Sequence, residues 1–311
     1  MTIIPPRRRA PSVRPNRPEP AAESPLEGVA ESNWNHWPNP HWKGRPNGLE
    51  YADLIIIGLA AGVASALTLF SGFGLGTVLM PVFALFFPAP LAVAATAVVH
   101  FANNLFKFGL MFGQADWRVV ARFGVPAALT AFIGASLLTW FDRLPPLVEY
   151  QLAGAAHEIT AVKAVIGLLI MVFAGLELSP RVQALAIPAR YLPLGGALSG
   201  FFGGLSGNQG ALRSAFLIRL GLSKDAFVAT GVVSAVIVDA SRLLVYGTGF
   251  LADYFTQSRE LLLPVAVGAS CAFAGAVLGK HLLQKVTLRT VQRIVAGMLL
   301  LVGGGLVTGL I

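Results

Sequence analysis

From Asp53 onward the chain is one apolar run after another, near 53–70, 76–88, 91–112, 118–140, 159–177, 191–205, 210–220, 225–247, 260–279 and 290–310. About 20 apolar residues carry a helix across a ~30 Å hydrocarbon core. Inside lipid no water satisfies backbone N–H and C=O groups, so helices that bond internally are the available solution. Charged residues make up only 12% of the sequence, about half of the ~25% usual in soluble chains. With 55% apolar residues and a mean hydropathy of +0.69, the chain cannot cover a soluble globule with charge. The expectation is an all-α, polytopic transmembrane bundle, multi-pass in the plasma membrane.

Two runs are too short to cross, 76–88 and 210–220, and each follows a glycine-rich break: SGFGLG (Ser71–Gly76) and SGNQG (Ser206–Gly210). The breaks correspond. A shift of 134 lays Gly76 on Gly210, Ala95-Thr96 on Ala229-Thr230, Val98-Val99 on Val232-Val233 and Gly113 on Gly247. A shift of 130 lays Lys163 on Arg293, Gly167 on Gly297 and Gly175 on Gly305. The chain reads as a duplication: repeat 1 over 53–179, a linker over 180–189, and repeat 2 over 190–311. Five segments per repeat is an odd number, so two copies in tandem face opposite ways, the inverted arrangement of many secondary transporters.

Loop charge orients the bundle. The short loop Lys280–Arg293 carries Lys280, Lys285, Arg289 and Arg293, which places it in the cytoplasm. Alternation adds Arg118/Arg122, Arg181/Arg190 and Arg219/Lys224 to that side. The loops with Asp142/Glu149 and Asp253/Glu260, and both termini, fall outside. Residues 1–52 read as a disordered Pro/Arg-rich tail without a signal peptide, followed by the Trp-rich interfacial segment WNHWPNPHWKG. His36 and His41 in that segment are too few to make a metal site. The sole cysteine, Cys271, lies in an apolar run and reads as a packing residue, which leaves no disulfide. The net charge of +8 is spread over the ends of apolar runs, a membrane pattern and not a nucleic-acid footprint. No cofactor and no metal is expected. The partners are the bilayer and a small anionic substrate, and oligomeric state is not readable.

Breaks at membrane depth point to that anion. A half-helix starting at such a break aims unpaired N–H groups and a positive dipole end into a polar cavity, which binds an anion without any basic side chain. Gly72, Gly74 and Gly76, with Thr77, form the candidate site in repeat 1; Gly207, Asn208, Gln209 and Gly210 form it in repeat 2. The competing reading is that these glycines only allow close helix packing. Arg213, one turn after the second break with Ser214 beside it, suits carboxylate or sulfonate oxygens. Its competing role is to pair with Asp239. Asp239 and Arg242 lie i, i+3 and can neutralise each other. His100, Asn103 and Lys107 form one helical stripe. Lys107 either joins the cavity or snorkels to the interface, and His100 and Asn103 either face the cavity or form a packed hydrogen-bonded pair. His100 and Asp239 are the proton-coupling candidates, with Lys107 and Arg242 as secondary charges.

GLSG (Gly204–Gly207) has the GxSG form of rhomboid intramembrane proteases, with His281 downstream, but a nucleophile and base need mutual hydrogen-bond reach. His281 reads as a boundary residue and Ser206 as mid-depth, so the chain is read as a non-enzyme. SGFGLGTVLMPVFALFF followed by PLAVAATAVV, and GGLSGNQGALRSAFLIRLGL followed by KDAFVATGVV, resemble the sulfite exporter TauE/SafE (TSUP) family of membrane permeases over 53–311. The usual triple-glycine run of that family is GFGLG here and NQG in the second copy. The resemblance implies export or uptake of sulfite, organosulfonates or related sulfur-containing anions, often with proton coupling. The other readings are an anion channel and a non-transporting scaffold.

Overall fold

The computed structural model describes residues 50–71, 74–179, 187–248, 261–282 and 288–311. The tail with its tryptophans, Gly72, and the loops carrying Arg181 and Asp253/Glu260 lie outside the described residues. The architecture is all-α. The first half supplies α1 (Tyr51–Ser71), α2 (Leu75–Ala84), α3 (Ala89–Met111), α4 (Trp117–Asp142) and α5 (Ala161–Leu178). The second half supplies α6 (Leu192–Ser206), α7 (Gly210–Leu217), α8 (Lys224–Thr248), α9 (Leu262–Leu282) and α10 (Leu288–Thr308). The order long, short, long, long, long occurs twice.

Local chemistry sets the ends. Asp116 caps α4, accepting from the Arg118 and Val119 amides at 3.0 and 3.1 Å, and Thr160 caps α5 through the Lys163 amide. Prolines open α3 and α6 in the first turn, where the missing N–H costs nothing. Pro81 sits inside α2, where it removes a helical hydrogen bond; that helix ends three residues later. Among the described residues three helices, covering Ala89–Gln114, Trp117–Asp142 and Lys224–Thr248, are long and apolar enough to cross a membrane.

Apolar side chains cover both faces. On α4, Phe123, Ala127, Ala131 and Leu138 are buried, while Val125, Leu129 and Ile133 are exposed on the opposite side. A helix that is hydrophobic all round needs an apolar solvent outside it, which here is lipid.

Packing pairs the two halves of the chain. The first helix of each half lies against the fourth of the other, α1 on α9 and α6 on α4. The third helices, α3 and α8, pair with each other, as do the fifth, α5 and α10. Glycine brings several of these backbones together. A Cβ on Gly196, Gly200 or Gly204 of α6 would fall on the carbonyls of Phe123, Ala127 or Ala131 of α4. Gly275 of α9 meets the Gly62 carbonyl of α1 in the same way, and Gly167 of α5 meets that of Gly303 on α10. Cys271 packs its sulfur against Gly58 of α1.

One element departs from the sequence expectation, which has a plain loop between α4 and α5. Residues Val148–Leu152 (β1) and Ala155–Ile159 (β2) form an antiparallel hairpin with Val148 opposite Ile159. Its two-residue turn places Ala153 and Gly154 at φ of 51° and 81°, the left-handed pair that suits the strand twist. Neither residue is the Asn or Asp that marks such a turn in a sequence. The Tyr150 hydroxyl donates to the Thr308 carbonyl, joining the hairpin to the end of α10. Glu158 stands opposite Glu149. Burial raises its carboxyl above the usual glutamate range and Glu149 adds to the effect, while Lys163 opposes both.

Candidate functional site

Each glycine-rich break ends in a half-helix whose first amides have no side-chain cap. Gly74 precedes α2 at φ 135°, a conformation open to glycine and little else. Gly207 ends α6 at φ 82°, and Gln209 precedes α7. The two tips meet: a Cβ on Gly76 would lie 3.3 Å from the Gly207 carbonyl and 3.8 Å from the His100 ring. The two breaks therefore touch in the interior, and a half-helix starts just after each; such an N-terminus favours negative charge. Thr77, in the first turn of α2, is buried beside them.

Asp239 of α8 is the hub of the polar groups around the tips. It is fully buried, and four side chains reach its carboxylate. Arg242 donates from Nη2 at 2.7 Å and from Nε at 3.1 Å to Oδ1. Gln209, from the second break, donates to the same oxygen at 3.2 Å. His100 Nδ1 lies 2.6 Å from Oδ2, and the Asn104 amide lies 3.4 Å from it. Arg242 also donates to the Gly203 carbonyl, and the Tyr246 hydroxyl donates to that of Gly204. The residues of α6 just before the break are thereby tied to α8.

Arg213 sits one step out, donating from Nη1 to Gln209 Oε1 at 3.3 Å. The sequence offered Asp239 as its partner. Gln209 stands between the two side chains, bonded to both. Ser214, beside Arg213, is half-buried. Asn208 donates to Ser206 Oγ at 3.3 Å. Gly210 is the first residue of α7.

The stripe on α3 divides in two. His100 joins Asn104 and Asp239, so the His100–Asn103 pair offered as one reading does not form. Asn103 pairs instead with Ser65 Oγ at 3.0 Å, and with its amide turned to match its neighbours its nitrogen donates to the Ala272 carbonyl at 3.2 Å and its oxygen accepts from Lys107 Nζ at 3.1 Å. Lys107 is 4% exposed, so it is held inside and does not snorkel. It lies within electrostatic reach of Arg213. Sequence reasoning left Asn104, Ser65 and Tyr246 out of the candidate set. Asn104 was within reach, one residue from Asn103 on a polar stripe, whereas Ser65 and Tyr246 carried no local signal.

The charge balance of this centre is uneven. Among the described residues, Lys107, Arg213 and Arg242 are buried in the helix interior against Asp239 alone. The other buried acids lie elsewhere, Asp53 at the start of α1 and Glu158 in the hairpin. Ionisable groups buried at membrane depth are costly and mark functional centres. Ser206 donates to the Phe202 carbonyl at 3.1 Å, an ordinary intrahelical bond; the His281 side chain lies outside the described residues.

Paired helix breaks meeting at a buried, cation-rich centre define an integral membrane protein of the transporter class. The family model for the sulfite exporter TauE/SafE matches residues 54–306. The chain belongs to that family, and it is a membrane transport protein for small anions. Neither a curated protein nor a solved structure shows significant similarity to it.

Proposed function

We propose that this protein is a multi-pass permease of the plasma membrane that moves sulfite, an organosulfonate or a related sulfur-containing monoanion by alternating access, with a proton as the coupling ion. The observation that carries this reading is the contact between the two breaks, Gly76 against the Gly207 carbonyl, with Arg242 beside Gly207 and Arg213 bonded to Gln209 of the second break. The substrate sits at the tips, bonded by the first amides of α2 and α7 and by Arg213, with Gly74, Thr77, Asn208, Gly210 and Ser214 around it. His100 and Asp239 form the proton-handling pair. The test is uptake into proteoliposomes of a panel of sulfonates, sulfite and carboxylates, with and without a pH gradient. Saturable accumulation of a sulfur oxyanion against its gradient is expected. Flux that never runs uphill makes the protein a channel, and no flux makes it a scaffold.

The repeats are inverted in this reading, with Lys280–Arg293 and Arg118 in the cytoplasm and the hairpin and C-terminus outside. Two contacts support it. Tyr150 bonds to Thr308, as two segments on one side can, and the Asp116 amide donates to Thr230 Oγ1 at 3.0 Å near the other end of the bundle. In a Cys271→Ala background, a membrane-impermeant maleimide should label Glu149→Cys but not Arg118→Cys in intact cells. The reverse pattern inverts the topology.

A further inference from the structure

We infer that Asp239 is a tethered counter-anion, which holds the donors of the anion site until a proton neutralises it, so that each substrate monoanion travels with one proton and no net charge. This rests on the permease reading above. The donors around the tips converge on one internal carboxylate: Gln209 from the second break, His100 and Asn104 from α3, and Arg242 from α8. A substrate oxyanion at the tips, next to Gly207 and Arg242, competes for those donors. Two anions a few ångströms apart at a buried site repel strongly, so the carboxylate and the substrate exclude each other until one loses its charge.

The contact at 2.6 Å supplies the route. With a proton arriving on His100 Nε2, the imidazolium gives its Nδ1 proton to Asp239 Oδ2. The N–H bond breaks as the O–H bond forms, leaving a neutral imidazole and a neutral carboxyl group. Arg242 then lacks its counter-charge, and a sulfonate or hydrogensulfite oxygen takes that place. One positive and one negative charge have entered, and the charge of the centre is unchanged.

The charged and titratable groups that face Asp239 are His100 from α3, Arg213 from α7, and Arg242 and Tyr246 from its own helix. Lys107 lies within electrostatic reach of Arg213. None is an acid, so no second carboxylate among the described residues stands ready to replace Asp239.

The experiment uses the full chain in proteoliposomes with methanesulfonate, which stays a monoanion throughout the working pH range. The wild type should take up one proton per methanesulfonate, at a rate that an imposed potassium-valinomycin potential leaves unchanged. Its apparent affinity should weaken about tenfold per pH unit on the alkaline side, as linkage to one proton requires. Asp239→Asn should bind with no pH slope, keep anion–anion exchange, lose accumulation driven by a pH gradient, and carry current. A wild-type pH slope in Asp239→Asn overturns the proposal, as does wild-type flux that carries current without protons. If the variant does not fold, the wild-type proton ratio and potential independence decide. Failure of the permease reading looks different: no methanesulfonate, sulfite or carboxylate flux in the wild type at any pH.

Discussion

Arg213→Ala should abolish anion flux in proteoliposomes while the protein still inserts and elutes as a single species from size exclusion. Arg213 lies one turn into α7, buried, and its bond to Gln209 links it to Asp239, which Gln209 also reaches. Its loss leaves the Asp239–Arg242 pair intact, so the charge network that joins α8 to α6 survives. What disappears is the guanidinium beside the tips, whose planar fork matches a sulfonate or sulfite face. Removing one partner of a buried charge pair costs about 2–5 kcal/mol, and each ~1.4 kcal/mol is a tenfold change in affinity. A loss of roughly thirtyfold or more in transport efficiency is the expected reading. Arg213→Lys should restore part of it, because the charge returns without the fork. Undiminished uptake by Arg213→Ala removes this side chain from the site.

The two breaks were legible because they violate the apolar run in a matched way, and a duplicated violation has to be satisfied inside the protein. Asp239 with Arg242 was legible because an i, i+3 pair on one helix needs no tertiary knowledge. The partner of His100 was not, since Asp239 lies 139 residues away on another helix. Periodicity says which residues share a face, but it does not say what the face meets. The choice between Asn103 and Asn104 shows the same limit. One residue is about 100° of helix rotation, so Asn104 faces Asp239 while Asn103 faces Ser65 and Lys107. Lys107 was undecided between core and interface because its position near the end of an apolar run suits both, and its burial in the folded chain separates them. The hairpin escaped because its turn residues are Ala153 and Gly154, and Ala153 carries no turn signal of its own.

A bulky side chain at Gly200 should prevent folding, and Gly200→Leu is expected to give no monodisperse protein in detergent. Gly196, Gly200 and Gly204 recur every four residues along one face of α6, each against a carbonyl of α4, the small-residue contact that lets membrane helices approach closely. Thr130 of α4 strengthens the crossing by donating to the Ala197 carbonyl of α6 at 2.7 Å. A Cβ at Gly200 meets both the Ala127 carbonyl and Thr130 Oγ1, so the new atom meets backbone and an engaged hydroxyl, neither of which can swing aside. Overpacking a core by single methylenes already costs about 1–3 kcal/mol, and here the helices must part along the whole face. The consequence reaches the transport centre, because α6 ends at Gly207 and its Gly203 and Gly204 carbonyls hold Arg242 and Tyr246. Gly200→Ala, the mildest form, should lower the melting temperature in detergent and weaken anion binding together. Gly109 supplies the control: it lies exposed on α3 with nothing within 4 Å of an added Cβ, so Gly109→Ala should keep or slightly raise stability through helix propensity. Equal melting temperatures for the Gly200→Ala and Gly109→Ala variants would mean that α4 and α6 do not depend on that crossing.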